Sequence, residues 1–351
     1  MGYAMDRILE IGHQAAGYCG RLFAQTGHDV VRVEPADPSP TWVSQRSLDL
    51  FLHAGKRRIA TDDPALIGQL ARNADVVIVE AANADAVLNL GVDAWQTKVT
   101  VVITPFGLTG PKRNWQATPS TLLAMGGYTN LMGDANRAPL TLPGHYPEFQ
   151  SGQYAFTAAS ACRWAHASNA IDISIFETVM SLSQFTTVMW HCTGQIRGRH
   201  GNDFHWVVPS TLFRLADGWV YVNIVPTFWD AFTTCIDRPT LILDERFASN
   251  DLRMANRDAL HALVADALAT LTREEIQTRA TEHRIPIGVL QTLDDVLADA
   301  HLAEREFFQT ATDGSATVRS PCLPFRFDRE PRVGQVLEAV EVASLDKSPR
   351  G

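Results

Sequence analysis

Residues 7–34 read RILEIGHQAAGYCGRLFAQTGHDVVRVE. Residues 7–11 are a short apolar run, 15–25 have helical character, and 28–34 alternate as a strand does. Gly27 stands where a helix C-cap glycine belongs. The three pieces make a β-α-β unit, and the pattern continues outward from it. A helix is expected over 64–73, a strand over 75–79 and a strong strand over 99–104. Strands alternating with helices imply a parallel sheet, so the fold class is α/β.

Further along, 150–168 and 173–189 are long, apolar and poor in charge, as expected for helices buried against the sheet or against a second subunit. The segment 195–203, with Arg197, Gly198, Arg199, Gly201 and Asn202, breaks that run as a loop. We place a boundary there, with a large Rossmann-like domain over 1–193, rejoined by 309–351, and a smaller α/β domain over 201–308. Inside the smaller domain Asp217-Gly218 is a turn signal feeding a strand over 219–225. Leu260, Leu263, Val264, Leu268 and Leu271 fall at helical spacing. Thr272 with Glu275 forms a capping box. A strand over 285–290 and a capped helix over 292–300 complete it.

Composition bounds the function. The chain has 351 residues, 46% hydrophobic and 20% charged, which is ordinary for a globular protein with a real core. With 30 basic against 39 acidic residues the net charge is -9, the wrong sign for a phosphate-backbone binder. No run approaches the roughly 18 apolar residues of a membrane span, and the start lacks a basic region followed by an apolar one, so a cytoplasmic protein is expected. Cys19, Cys162, Cys192, Cys235 and Cys322 never fall in a C-x-x-C, and we read them as buried thiols.

Local catalytic motifs are few. A β-α-β unit ending on Glu34 imitates a dinucleotide fold, but Gly12, Gly17 and Gly20 do not make G-x-G-x-x-G. Among 11 histidines there is no metal-ligand spacing, and His191-Cys192 is read as a helix-end pair. The nucleophile elbow G-x-S-x-G is absent.

The order of several blocks nonetheless forms a pattern. It begins with Ala16-Gly17 and Asp29-Val30-Val31-Arg32-Val33-Glu34, then Lys56-Arg57 as a basic turn before Thr61-Asp62, then Ala74-Asp75-Val76-Val77 and Asn89-Leu90-Gly91. Phe106-Gly107-Leu108-Thr109-Gly110-Pro111 follows, close to F-G-x-T-G-P, then Ile171-Asp172-Ile173-Ser174. Gly201-Asn202, Pro209, Asp217-Gly218, Ile285-Pro286 and Pro324-Phe325-Arg326 complete the series at fitting intervals. In this order the chain resembles the class III CoA-transferases of the CaiB/BaiF type, the group of formyl-CoA transferase, carnitine CoA-transferase and the α-methylacyl-CoA racemases.

The resemblance implies a soluble enzyme that forms interlocked dimers and moves CoA between an acyl-CoA and a carboxylic acid. No tightly bound cofactor and no metal are implied; the CoA thioester is the substrate. The family's nucleophile is an aspartate four residues before a glycine at the head of a long helix, and Glu148, ahead of Gly152, stands there in this chain. Its carboxylate is read as the acyl acceptor, with two alternatives: a residual binding group, or a solvated glutamate favoured by the helix dipole. Arg32, Lys56 and Arg57 are read as phosphate partners or as a solvated basic turn. His13, Gln14 and Ala16 would face the thioester end of the site, or belong to a plain loop, and Gly107 lies in the most specific block.

Three departures matter. The racemases' histidine and aspartate align with Thr118-Pro119, which cannot exchange a proton at neutral pH. The family's E-N-F-x-P-G stretch, which helps hold CoA, reads Glu80-Ala81-Ala82-Asn83-Ala84-Asp85. A phosphate-facing arginine is replaced by Asn89. These departures define a second reading, a catalytically silent subunit that pairs with an active paralogue.

Overall fold

The structure is a computed structural model, and it describes residues 6–37, 46–204, 206–312, 316–326, 337–338 and 340–341. The first segment forms β1 (Arg7–Ile11), α1 (Gln14–Gln25), β2 (Asp29–Glu34), α2 (Arg46–His53), β3 (Arg57–Ala60), α3 (Pro64–Arg72), β4 (Val76–Glu80), α4 (Ala84–Asn89) and β5 (Val99–Thr104). Next come α5 (Pro119–Met125), α6 (Tyr128–Leu131), α7 (Tyr146–Trp164), β6 (Asn169–Ser174), α8 (Ile175–Ser181) and α9 (Gln184–Thr193).

Strands β1 to β6 are parallel and lie in the order β3-β2-β1-β4-β5-β6, with β13 (Val340–Glu341) beside β3. This is a doubly wound sheet whose direction reverses between β1 and β4, the crevice where such folds bind ligands at the strands' carboxyl ends. Alternation across the pleat divides the core. Ile8, Val30, Val76, Ile78 and Val101 pack with Ala15, Cys19, Phe23, Ala155 and Ala159 on one face. Leu9, Val31, Val33, Val77 and Val79 pack with Ala71, Val87 and Trp95 on the other. Because both faces are covered, β4 and β5 read as near-continuous apolar runs.

The chain divides into two compact units, one of residues 1–129, 141–196 and 300–351, the other of 130–140 and 197–299. The second unit contains the antiparallel sheet β7 (Ser210–Arg214), β8 (Trp219–Asn223) and β9 (Ile287–Val289). Helices α10 (Trp229–Cys235), α11 (Asn250–Ala255), α12 (Arg257–Leu268), α13 (Arg273–His283) and α14 (Leu293–Leu297) surround its core of Phe213, Val220, Phe232, Phe247, Leu260, Val264 and Leu268. The Thr272–Glu275 box caps α13, both of its hydrogen bonds present. In the first unit, α15 (Ala300–Glu304) leads into β10 (Phe308–Thr312), which pairs antiparallel with β11 (Thr317–Pro321) and parallel with β12 (Leu337–Glu338).

Several expectations are corrected. Residues 169–174 form an edge strand, so the apolar stretch after 173 is split into a strand end and two helices. Arg57 begins β3 and is not in a turn. Cys19 and Cys235 are buried, but Cys162 and Cys322 are half-buried and Cys192 is exposed. Of the start of the chain and the segment 309–351, residues 1–5 and much of the latter lie outside the described residues.

Candidate active site

Glu148 occupies the first turn of α7, behind His145 as N-cap and Pro147, which lacks an amide hydrogen. It is 8% exposed, and its Oε2 makes no hydrogen bond among the described residues. His145 Nδ1 lies 3.5 Å from Oε1, too long for a good hydrogen bond, and is itself unsatisfied. Burial pushes the Glu148 carboxyl up to about 7, opposed by its own backbone N–H. Burial likewise holds His145 below its ordinary value. The result is a desolvated carboxylate with one oxygen, Oε2, that no donor among the described residues occupies.

One turn along the same helix, Gly152 explains where Glu148 stands. A Cβ at Gly152 would lie 2.5 Å from the Ala15 carbonyl oxygen and 3.0 Å from the Cys19 amide nitrogen. Helices α1 and α7 therefore touch backbone to backbone there, with Ala15, Ala155 and Ala159 fully buried around the contact. Tyr18 stacks on Phe149 at 4.9 Å between ring centroids and fixes the rotation of α7.

The N-terminus of α1 is capped from another strand. His13 takes the N-cap position, but its side chain does not cap the helix. Glu80, at the end of β4, instead places Oε2 where it accepts from the His13 amide at 3.1 Å and the Ala16 amide at 2.9 Å. Burial raises the Glu80 carboxyl to about 7; the Ala16, His13 and Ala15 amides lower it, while the Glu148 charge raises it. Gly12 permits this approach, since its φ is +138° and a Cβ would lie 2.5 Å from the Glu80 Cβ. The His13 ring is held below its ordinary value by burial and then by Arg32. Glu80 thus ties the head of α1 to the end of β4 beside the sheet's reversal point, with Glu148 near enough for its charge to act on Glu80. Gln14 opens α1.

The basic residues face elsewhere. Arg32 Nη1 donates to Glu10 at 2.5 Å and its Nε to Glu34 at 2.8 Å. Lys56, 1% exposed, donates to Glu10 at 2.5 Å and to the Gly17 carbonyl at 2.8 Å, with His53 Nδ1 at 3.1 Å. Burial draws the Lys56 amine down to about 8 against the pull of Glu10, and drives His53 well below its ordinary value. Arg57 pairs with Asp29 through two contacts, one of 2.8 Å. None of the three presents a free cation to a phosphate.

Gly107, in the loop three residues past the end of β5, has φ +82°, a conformation that favours glycine, and the next amide, of Leu108, donates to Asp172 Oδ2 at 2.9 Å. Asp172 belongs to the edge strand β6, so this bond joins the F-G-L-T-G-P loop to the sheet's rim. A cavity of about 300 Å³ lies there, lined by Phe106, Gly107, Lys112, Asp172, Phe176 and Glu177 among others. Among the described residues no cluster of histidine, cysteine or carboxylate could hold a metal ion, and no helix is long and apolar enough to cross a membrane. The sequence reading passed over Glu80 as a cap. Its signal was a glycine directly after β1 combined with a glutamate ending β4.

Comparison with known proteins identifies the fold and the family. The chain is 27% identical over 327 residues to a succinyl-CoA–D-citramalate CoA-transferase of Chloroflexus aurantiacus, covering 86% of this chain and 81% of that protein. It is 24% identical over 388 residues to a succinate–glutarate CoA-transferase of Agrobacterium fabrum, covering 98% and 96%. The crystal structure of a CaiB/BaiF family protein from Brucella suis superposes with a TM-score of 0.81 at 22% identity, covering 96% of this chain and 95% of that one. The sequence model of CoA-transferase family III matches residues 6–338, and the chain therefore belongs to that family.

Proposed function

We propose that this enzyme moves CoA between an acyl-CoA and a carboxylic acid by way of covalent intermediates on Glu148. A carboxylate oxygen of Glu148 attacks the thioester carbonyl and CoA leaves as its thiolate, giving a mixed anhydride. The thiolate then attacks the Glu148 carbonyl, releasing the first acid as carboxylate and leaving Glu148 as a CoA thioester. The acceptor carboxylate attacks that thioester and expels the CoA thiolate, forming a second anhydride. The thiolate takes its acyl group, yielding the new acyl-CoA and free Glu148. Each transfer exchanges one activated carbonyl for another, so no step needs an outside energy source.

The observation that carries this reading is the buried, donor-free Oε2 of Glu148 at the head of a helix anchored by Gly152. A carboxylate oxygen without hydrogen bonds is less stabilised by its surroundings and attacks more readily. The acids named for the two relatives, citramalate and glutarate, make a short dicarboxylate the first acceptor to test. Incubation with succinyl-CoA followed by borohydride or hydroxylamine should modify Glu148 alone among the carboxylates, and Glu148→Gln should abolish both trapping and exchange. Exchange that survives Glu148→Gln would overturn the mechanism.

A silent subunit is the second reading, favoured by one observation: Arg32, Lys56 and Arg57 are spent on ion pairs within the chain. The two differ in whether the purified chain exchanges CoA without a paralogue. In either case we propose an interlocked dimer. In its support, Trp164 is 88% exposed and Trp190 55%, on segments otherwise poor in charge.

A further inference from the structure

We infer that Lys112, Arg113 and Trp115, in the loop after F-G-L-T-G-P, bind the nucleotide end of the CoA thioester, the cations taking its phosphates and the indole face its purine. The inference rests on the CoA reading above and names residues that neither the resemblance nor the comparisons single out.

The placement is set by hydrogen bonds. The amide of Ala84 donates to the Arg113 carbonyl at 3.0 Å. The Asp85 amide donates to Asn114 Oδ1 at 3.3 Å, and Asn114 Nδ2 returns a bond to Asp85 Oδ2 at 2.9 Å. The loop is thereby fastened to residues 80–85, the stretch aligned with the family's CoA-holding E-N-F-x-P-G. Both stand at the carboxyl ends of parallel strands, β4 for one and β5 for the other.

Charge supplies the second argument. CoA carries several phosphate charges, while Arg32, Lys56 and Arg57 are committed to Glu10, Glu34 and Asp29 and the family's arginine is Asn89. Lys112 and Arg113 make no ion pair among the described residues, although Asp172 and Glu177 line the same cavity as Lys112. Asp172 is occupied by the Leu108 amide. The Lys112 ammonium instead lies 5.4 Å from the ring centres of Trp115 and Phe176 and 5.9 Å from that of Phe106. Ring faces hold and partly desolvate a cation without neutralising it, which leaves its charge for an anion. Trp115 is 53% exposed beside it, edge-on to Phe106, so part of its indole is open to a stacked base.

The test is calorimetric titration with CoA, adenosine 3′,5′-bisphosphate and pantetheine. The subjects are the wild type, Lys112→Ala/Arg113→Ala, Lys112→Arg/Arg113→Lys and Trp115→Ala. Loss of two charge-assisted contacts should weaken CoA and the bisphosphate by about 10- to 100-fold and flatten the salt dependence. The charge-preserving pair should bind as wild type, and Trp115→Ala should weaken both nucleotides. Pantetheine should bind alike throughout. Wild-type CoA affinity in the double alanine variant, an equal loss for pantetheine, or no CoA binding by the wild type would overturn the inference. Binding that depends on Lys112 and Arg113 in a chain that exchanges no CoA would uphold it and overturn the transferase reading. Exchange indifferent to the two cations would do the reverse.

Discussion

Gly152 sits directly on the Ala15 carbonyl, so the helix carrying Glu148 is pressed onto the helix that opens the crevice with no side chain between them. Adding even one methyl requires the two helices to part. Gly152→Ala should cost about 1–3 kcal/mol of stability and, by moving Glu148 on the order of 1 Å, lower exchange about 100-fold. Thermal melts and initial rates on the same sample would check both. Unchanged activity would mean that the contact does not position the carboxylate.

Glu148 has one methylene more than the family's aspartate, and its backbone is already held by that contact. Glu148→Asp draws the oxygens back by about 1 Å, a displacement large enough to change the rate about 100-fold. If the extra length is uncompensated, the shorter carboxylate should exchange CoA at least as fast as the wild type. A loss of 100-fold would instead mean that the crevice is built around glutamate.

Activity should depend on pH through the same residue. With its carboxyl near 7, Glu148 is only partly ionised at neutrality, so kcat/KM should rise as pH passes through about 7 and level off above 8. A profile flat from pH 5.5 to 8.5 would count against a buried nucleophile.

Stability should run the other way. A carboxyl raised in the folded state contributes stability that is complete below its ordinary value of 4.5 and is lost as pH climbs through about 7. A change from 4.5 to about 7, at about 1.4 kcal/mol per unit, corresponds to on the order of 3 kcal/mol. Glu148→Gln should therefore melt at a higher temperature than the wild type at pH 8 and with it at pH 4.5. Equal melting at both pH values would place Glu148 in water.

The exposed apolar residues lead to a prediction about assembly. Light scattering should give twice the 38.6 kDa chain mass, and Trp190→Asp should lower the dimer fraction. A wild-type mass of one chain at micromolar concentration would sink the dimer.

The sequence reveals those parts of the molecule whose pattern is local. Strands β1, β4 and β5 are buried on both faces and read as apolar runs, and Gly27 and Thr272-Glu275 mark helix ends by their own chemistry. The strand β6 was hidden because it is an edge, with Asn169, Ala170 and Asp172 exposed, so its run is too polar to stand out beside the helices that follow. The position of Glu148 was legible from a glycine four residues on, but its burial and the cap formed by Glu80 depend on contacts across 64 and more residues. For the same reason Lys56 and Arg32 looked like surface cations: nothing near them in the chain announces Glu10, 46 residues from one and 22 from the other.

That buried quartet of Glu10, Arg32, Lys56 and His53 also bears on how the family can vary. Gly20 leaves the space that Glu10 fills, since a Cβ there would lie 1.8 Å from Oε2. Removing any one charge strands another in the interior, typically at a cost of 3–5 kcal/mol. A lineage therefore cannot drift through these positions one substitution at a time. Descendants should keep all five residues or exchange them together for an apolar set, and a chain carrying a mixture should be found only where a second change has already repaired the first.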